Sequence, residues 1–135
     1  MKMENKLKHL EFIQNIITRM NNNSFFIKGW AITLVSALFA LAAGDTNLNY
    51  VLITYIVLPV FWVLDGFFIS KERQFRALYD EVSLITKDDK VDFRMETDKY
   101  NKGRNTWPAG IISKTLWPFY GIALCATIIV MFLIK

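Results

Sequence analysis

Three apolar stretches, each about as long as a lipid bilayer is thick, dominate this chain of 135 residues. They run from Ser24 to Ala43, from Tyr50 to Ile69 and from Leu116 to Ile134. A helix needs roughly 20 mostly apolar residues to cross a hydrocarbon core of about 30 Å. With 53% hydrophobic residues overall, the chain is predicted to be an all-α integral membrane protein with three transmembrane helices.

The basic residues are distributed unevenly about these spans. Of the 16 Lys and Arg residues, only Lys135 follows the third span, and none lies between the first span and the second. The positive-inside rule therefore places the N-terminus and residues 71–114 in the cytoplasm and the C-terminus on the opposite side.

Ala40-Leu41-Ala42 resembles a signal-peptide cleavage site, but the segment before the apolar run, Met1 to Asn23, is long for the start of a signal peptide. We therefore interpret the first stretch as a retained span.

Residues 1–23 are predicted to form an amphipathic helix on the cytoplasmic side. Its apolar residues recur at spacings of three and four, and His9 falls on its polar side. The helix either lies on the inner leaflet or packs against another cytoplasmic helix. Asn21 to Ser24 are expected to break it and to cap the first span. The apolar face comprises Leu7, Leu10, Ile13, Ile17 and Met20.

Residues 24–69 are predicted to form a transmembrane hairpin of the first two spans. Small residues in the first span recur every four residues, and a shorter pair repeats this spacing in the third span. Such spacing allows close helix–helix contact, within or between subunits. The single cysteine has no partner for an internal disulfide and is expected to pack as a small apolar residue. The small residues concerned are Ser36, Ala40, Gly44, Gly121 and Cys125.

Residues 70–106 are predicted to extend the second span as a cytoplasmic helix to about Ile85, followed by a polar loop. At 1.5 Å per residue the extension would reach roughly 24 Å beyond the bilayer. Its apolar face is expected to serve assembly or sensing, by packing on the N-terminal helix or on the same helix of a neighbour. That face consists of Phe75, Leu78, Tyr79, Val82 and Ile85.

The polar loop carries charges of both signs. Asp88, Asp89 and Asp92 lack the spacing of a calcium loop, so a solvated charge cluster is expected and not a metal site. Residues 71–114 hold ten basic and eight acidic residues, which argues against nucleic-acid binding.

Residues 107–135 are predicted to form an interfacial segment from Pro108 to Ile112 and then the third span. Tryptophan favours the headgroup level and proline a helix start.

Lys28 and Asp65 are the polar constellation within the spans. Lys28 precedes the centre of the hairpin turn, near residue 46, by almost the same stretch of chain as that by which Asp65 follows it. Antiparallel helices would place the two charges at the same depth, where they either form a pair or face a pore mouth. Alternatively, Lys28 extends to the interface and Asp65 reaches water or Arg73. Trp30 and Trp62, one turn deeper, are expected to be packing or interfacial residues.

The sequence contains no recognisable catalytic or cofactor-binding pattern. It has one histidine, no Gly-rich phosphate loop and no G-x-S-x-G motif. We therefore expect neither an enzyme nor a cofactor or metal.

Two segments resemble a known group of bacterial membrane proteins. FIKGWAITLVSALFALAAGD (residues 26–45) and FWVLDGFFISKERQFRALYDEV (residues 61–82) are similar to the small SLATT-type transmembrane effectors of antiphage defence. In that group a tight transmembrane hairpin continues into a cytoplasmic helix, and the third span here is an addition to it. The resemblance implies an oligomer in the bacterial inner membrane that permeabilises or depolarises this membrane when a sensor partner is triggered. In that membrane, the distribution of basic residues makes the C-terminus periplasmic.

These features favour a homo-oligomeric, channel-like effector gated from the cytoplasm, since three helices are too few to enclose a conduit alone. One alternative is a non-conducting anchor or adaptor that recruits a soluble partner. Another is a small subunit of a transporter complex. The expected partners are the lipid bilayer, further copies of the chain, and a cytoplasmic sensor protein or signal ligand.

Overall fold

The computed structural model describes residues 3–134, and all regular secondary structure in this range is helical. Helix α1 spans Glu4–Asp45, α2 Leu48–Ser83, α3 Trp107–Ile111 and α4 Leu116–Ile134. Helices α1, α2 and α4 are long and apolar enough to cross a membrane. The structure thus confirms the prediction of an all-helical chain with three candidate spans. The connection after α2 contains three single-turn 3₁₀ helices, at Asp88–Lys90, Asp98–Tyr100 and Gly103–Asn105.

Helix α1 runs without interruption through the three consecutive asparagines. The predicted break at Asn21 to Ser24 is therefore wrong, and the N-terminal helix and the first span are one element of 42 residues. Asparagine disfavours a helix by only about 0.7 kcal/mol per residue. Ile17 and Ser24, on either side of the asparagines, are buried within the protein, so tertiary packing outweighs the local preference.

A tight turn joins α1 to α2. Thr46 adopts a left-handed conformation (φ 53°), and its backbone N–H bonds to the Ala42 carbonyl. The Asn47 side chain then caps α2 by accepting a hydrogen bond from the backbone N–H of Asn49 at 3.0 Å. Helix α2 continues from this turn to Ser83 and includes Pro59. The turn makes the two long helices antiparallel neighbours.

A separate apolar core lies between the start of α1 and the end of α2, away from the turn that joins the two helices. Ile13 and Ile17 of α1 pack with Leu78 and Val82 of α2, and the rest of the predicted α2 face lies around them. Leu7, which was expected on the apolar side of α1, is instead largely exposed. The α2 face is therefore covered within the protomer by α1. The surrounding apolar side chains are Leu10, Phe75, Tyr79, Ile85, Met95 and Tyr100.

Helix α3 docks on α2 through two glycines. A Cβ atom added at Gly66 would lie only 3.0 Å from the backbone N and Cα of Ile111, and one added at Gly110 would meet the Gly66 carbonyl. Trp107 also donates its indole N–H to the Val63 carbonyl at 2.8 Å. Glycine is thus required here for close helix approach, and α3 fixes the point from which α4 starts.

Helix α4 completes the apolar core between the three long helices. Leu116 and Tyr120, in its first two turns, are fully buried in a cluster with residues of α1 and α2. The cluster therefore ties the start of α4 to the other two long helices. Its remaining buried members are Ala31, Val35, Leu58 and Ile69.

Candidate functional site

Three polar side chains, two from α1 and one from α4, converge on Asp65 of α2. We call Ser24, Lys28, Asp65 and Tyr120 the polar junction. The Asp65 side chain is 0% exposed. Its Oδ2 accepts hydrogen bonds from Lys28 Nζ at 2.7 Å and from the Tyr120 hydroxyl at 3.0 Å, and its Oδ1 accepts one from the Ser24 hydroxyl. Because a buried charge is costly unless it is paired and hydrogen-bonded, these donors account for the presence of the carboxylate.

Lys28 connects the polar junction to the protein surface. Its ammonium donates to Ser24 Oγ at 2.7 Å and lies 6.0 Å from the centre of the Phe119 ring. The Lys28 side chain is 16% exposed, whereas that of Asp65 is fully enclosed. The structure therefore brings together the two residues that the helix register placed at equal depth. Within the protomer they form an ion pair, and Asp65 does not line an open surface.

Tyr120 is a member of the polar junction that the sequence reasoning missed. Its ring stacks on Trp62, with centroids 5.6 Å apart and an interplanar angle of 9°. Trp62 in turn donates its indole N–H to the Ile111 carbonyl at 2.6 Å. The sequence feature that could have indicated its role is a tyrosine near the start of the third apolar stretch. Trp30, by contrast, is exposed and contributes nothing to the polar junction.

The small residues expected at helix contacts are mostly exposed on the protomer. Ser36, Ala40, Gly44 and Cys125 are exposed, and nothing lies within 4 Å of a Cβ atom added at Gly44 or Gly121. The close approach within the protomer occurs at Gly66 and Gly110 instead. Contact between subunits is the part of the prediction that stays open.

A cavity of about 460 Å³ lies beside the start of α1 and the end of α2, away from the turn that joins these helices. Leu78, Val82 and Ile85 form its apolar side, and charged side chains of the connection after α2, together with Glu81 of α2, also line it. His9 also lines it, and it is buried, which corrects its expected place on a polar surface. Its Nε2 lies 2.9 Å from the Arg94 carbonyl, and Phe93, in a left-handed conformation, covers its ring.

The acidic cluster of the connection has a structural use. Asp88 accepts hydrogen bonds from the backbone N–H of Lys6 at 2.9 Å and of Asn5 at 3.4 Å. These donors belong to the first turn of α1, where Met3 provides no side-chain cap. A carboxylate there also interacts favourably with the helix dipole. Among residues 3–134 no group of His, Cys, Asp and Glu is arranged to hold a metal ion.

A scan against protein-family models and searches of curated proteins and of solved structures find no match to this chain.

Proposed function

We propose that this chain is a homo-oligomeric membrane effector that permeabilises or depolarises the bacterial inner membrane when it is triggered from the cytoplasm, in the manner of an antiphage defence protein. The carrying observation is a stripe of small residues along α1 that the protomer leaves uncovered. We call Gly29, Thr33, Ser36, Ala40 and Gly44 the small-residue stripe; all five are exposed.

The position of the small-residue stripe supports contact between subunits. At 3.6 residues per turn, it lies on the side of α1 opposite to Ala31, Val35 and Ala42, which are buried against the other helices. A Cβ atom added at Gly29 meets nothing within 4 Å. Small residues at this spacing let the backbones of two membrane helices approach closely, so copies of α1 would surround a common axis.

The continuity of the long helices supports control from the cytoplasm. Helices α1 and α2 run unbroken from the cavity beside His9 to the apolar spans. A ligand or sensor that changes the packing of Leu78 and Val82 on α1 would therefore act on elements that also form the spans. The distribution of basic residues supports placing this end, with residues 71–114, in the cytoplasm.

Assembly is tested with one substitution on the small-residue stripe and one beside it. Ala40→Leu adds bulk on the stripe, and Leu41→Phe adds bulk at an exposed position next to it. We expect Ala40→Leu to convert the oligomer to monomer in mild detergent, measured by light scattering, and Leu41→Phe to leave the mass unchanged. Monomeric wild-type protein, or equal masses for the two variants, contradicts the proposal.

A second candidate, a non-conducting anchor or adaptor, is favoured by the enclosure of the charges of the spans. Lys28 and Asp65 satisfy each other inside the protomer, which leaves mostly apolar side chains facing outward from the helices. Membrane potential in bacteria after induced expression separates the two candidates. The effector lowers the potential and Ala40→Leu restores it, whereas an anchor leaves it unchanged in both cases.

A further inference from the structure

A second cavity, of about 470 Å³, lies where the third apolar helix begins. We call it the basic cavity. Arg73 of α2, Arg104 of the connection and Lys114, just before α4, all line it. Among the residues described by the structure, no Asp or Glu lines it. The basic cavity thus gathers three positive charges, one from α2 and two from the chain between α2 and α4.

The three cations have no anionic partner among residues 3–134. Arg73 donates from Nη1 to the backbone carbonyl of Arg104 at 2.6 Å, which holds its guanidinium near that residue. No ion pair joins Arg73, Arg104 or Lys114 to a carboxylate in this range. Glu72, next to Arg73 in sequence, forms its ion pair with Arg76 instead. Because the three cations repel one another, a bound anion would stabilise the arrangement.

A buried hydroxyl in the same cavity supports binding of an anion with several oxygen atoms. Ser113 lines the basic cavity and is only 6% exposed. Its Oγ is buried, with no hydrogen-bond partner in the described part of the chain. An unsatisfied buried polar group costs about 1–3 kcal/mol, and an anion in the cavity would supply the missing partner once the Ser113 side chain rotates toward it.

The surroundings of the basic cavity resemble a membrane interface. Lys114 and Thr115 immediately precede α4, one of the three candidate spans. Ile112, which also lines the cavity, is 71% exposed, and Trp107 and Trp117 are exposed on either side of it in sequence. Tryptophan is enriched at the headgroup level. An apolar chain would therefore lie along Ile112 while an anionic group occupied the cavity.

We propose that the basic cavity binds the phosphate group of an anionic phospholipid. Two guanidinium groups and an ammonium suit the charge and the several oxygen atoms of a phosphate, and basic pockets between membrane helices bind lipid headgroups in this way. This inference does not depend on conduction or on oligomerisation of the chain.

The test uses the full-length protein in a neutral detergent and measures its melting temperature during titration with lipid. Phosphatidylglycerol is the anionic probe, phosphatidylcholine the zwitterionic control and inorganic phosphate the soluble control. The variant Arg104→Gln/Lys114→Gln removes two cations without removing any internal side-chain hydrogen bond of the described chain. Lys87→Gln/Lys102→Gln removes the same charge from exposed positions outside the basic cavity.

We expect phosphatidylglycerol to raise the melting temperature and phosphatidylcholine not to. A cation near the membrane surface contributes about fivefold to anionic-lipid affinity, so Arg104→Gln/Lys114→Gln should weaken the affinity for phosphatidylglycerol about 25-fold. The control pair should lose much less. Equal losses in the two double variants, or equal stabilisation by both lipids, overturn the proposal. Stabilisation by inorganic phosphate alone keeps a phosphate site but rejects the lipid as its source.

Ser113→Ala separates a ligand-binding role from a structural one. Because the Ser113 hydroxyl has no internal partner, its removal should leave the melting temperature without lipid unchanged or slightly higher. The affinity for phosphatidylglycerol should fall by about tenfold, the value of one hydrogen bond to a charged group at the lower end of its range. A lower melting temperature without lipid and an unchanged affinity would assign the hydroxyl a structural role and count against the proposal.

Discussion

Replacing Lys28 by Met should destabilise the protein more than replacing Asp65 by Asn. Lys28→Met leaves a carboxylate that is 0% exposed and is supported only by the hydroxyls of Ser24 and Tyr120. Removing one partner of a buried ion pair costs about 3–5 kcal/mol. Asp65→Asn removes the charge but retains an acceptor oxygen, and Lys28 can reach water. The loss should then be about 2 kcal/mol, the value of one charged hydrogen bond.

The double variant Lys28→Met/Asp65→Asn leaves no charged side chain at the polar junction. Its loss of stability should therefore be smaller than the sum of the two single losses, by about 2 kcal/mol or more. The ion pair between Lys8 and Glu11 is a matched control within α1, with both side chains more than half exposed. Pairs of that kind contribute about 0.5 kcal/mol or less. The cycle Lys8→Gln/Glu11→Gln should therefore be nearly additive.

The measurement is the free energy of unfolding in mixed micelles, followed by tryptophan fluorescence as the fraction of sodium dodecyl sulfate rises. Trp62 reports directly, because it stacks on Tyr120 at the polar junction. Single effects that add within about 0.5 kcal/mol would refute mutual compensation. A larger loss for Asp65→Asn than for Lys28→Met would refute the assignment of the greater burial cost to the carboxylate.

Three further tests, the first two with matched control substitutions, concern the helix packing and the cap of α1. Gly66→Ala should cost about 1–3 kcal/mol because its methyl group meets the backbone of Ile111, whereas Gly29→Ala should be neutral or stabilise the protein, as unfolding free energies will show. Leu78→Asp places a charge in the apolar core formed with Ile13 and Ile17 and should lower the stability by more than about 3 kcal/mol. Leu84 is exposed, so the control Leu84→Asp should change the stability by less than about 0.5 kcal/mol. Thermal melts in detergent measure both variants. Asp88→Ala removes the cap of α1 and should cost about 1 kcal/mol, with faster hydrogen exchange confined to its first turn; unchanged exchange there would count against the cap.

The sequence was sufficient for features that depend on length and register. Run lengths predicted three long apolar helices, and the spacing from Phe75 to Ile85 predicted that α2 continues past its apolar segment. The equal depth of Lys28 and Asp65 followed from counting residues on both sides of a short turn. That count holds because Thr46 and Asn47 are the only residues between α1 and α2.

Other features depend on how segments distant in sequence pack together. Asn21 to Asn23 resemble a helix break by local preference, but the burial of Ser24 against Asp65 keeps α1 continuous. The place of Tyr120 could not be counted, because a long connection, from Leu84 to Thr115, separates α2 from α4. Gly66 and Gly110 carried no recognisable spacing, since they belong to different helices that meet only in three dimensions.

Because Asp65 is enclosed within the protomer, substitutions at the polar junction and on the small-residue stripe should have different effects on stability and assembly. The ion pair of the polar junction is buried and saturated inside one protomer, so its loss should lower stability and any membrane activity together. The small-residue stripe is exposed on the protomer, so Ala40→Leu should abolish the proposed assembly and membrane activity while the stability of the monomer is preserved. A variant of Ala40 that is stable and monomeric yet still depolarises the membrane would place the active surface elsewhere than on α1. Asp65→Asn protein that folds fully but conducts differently would require the ion pair to open in the assembled state.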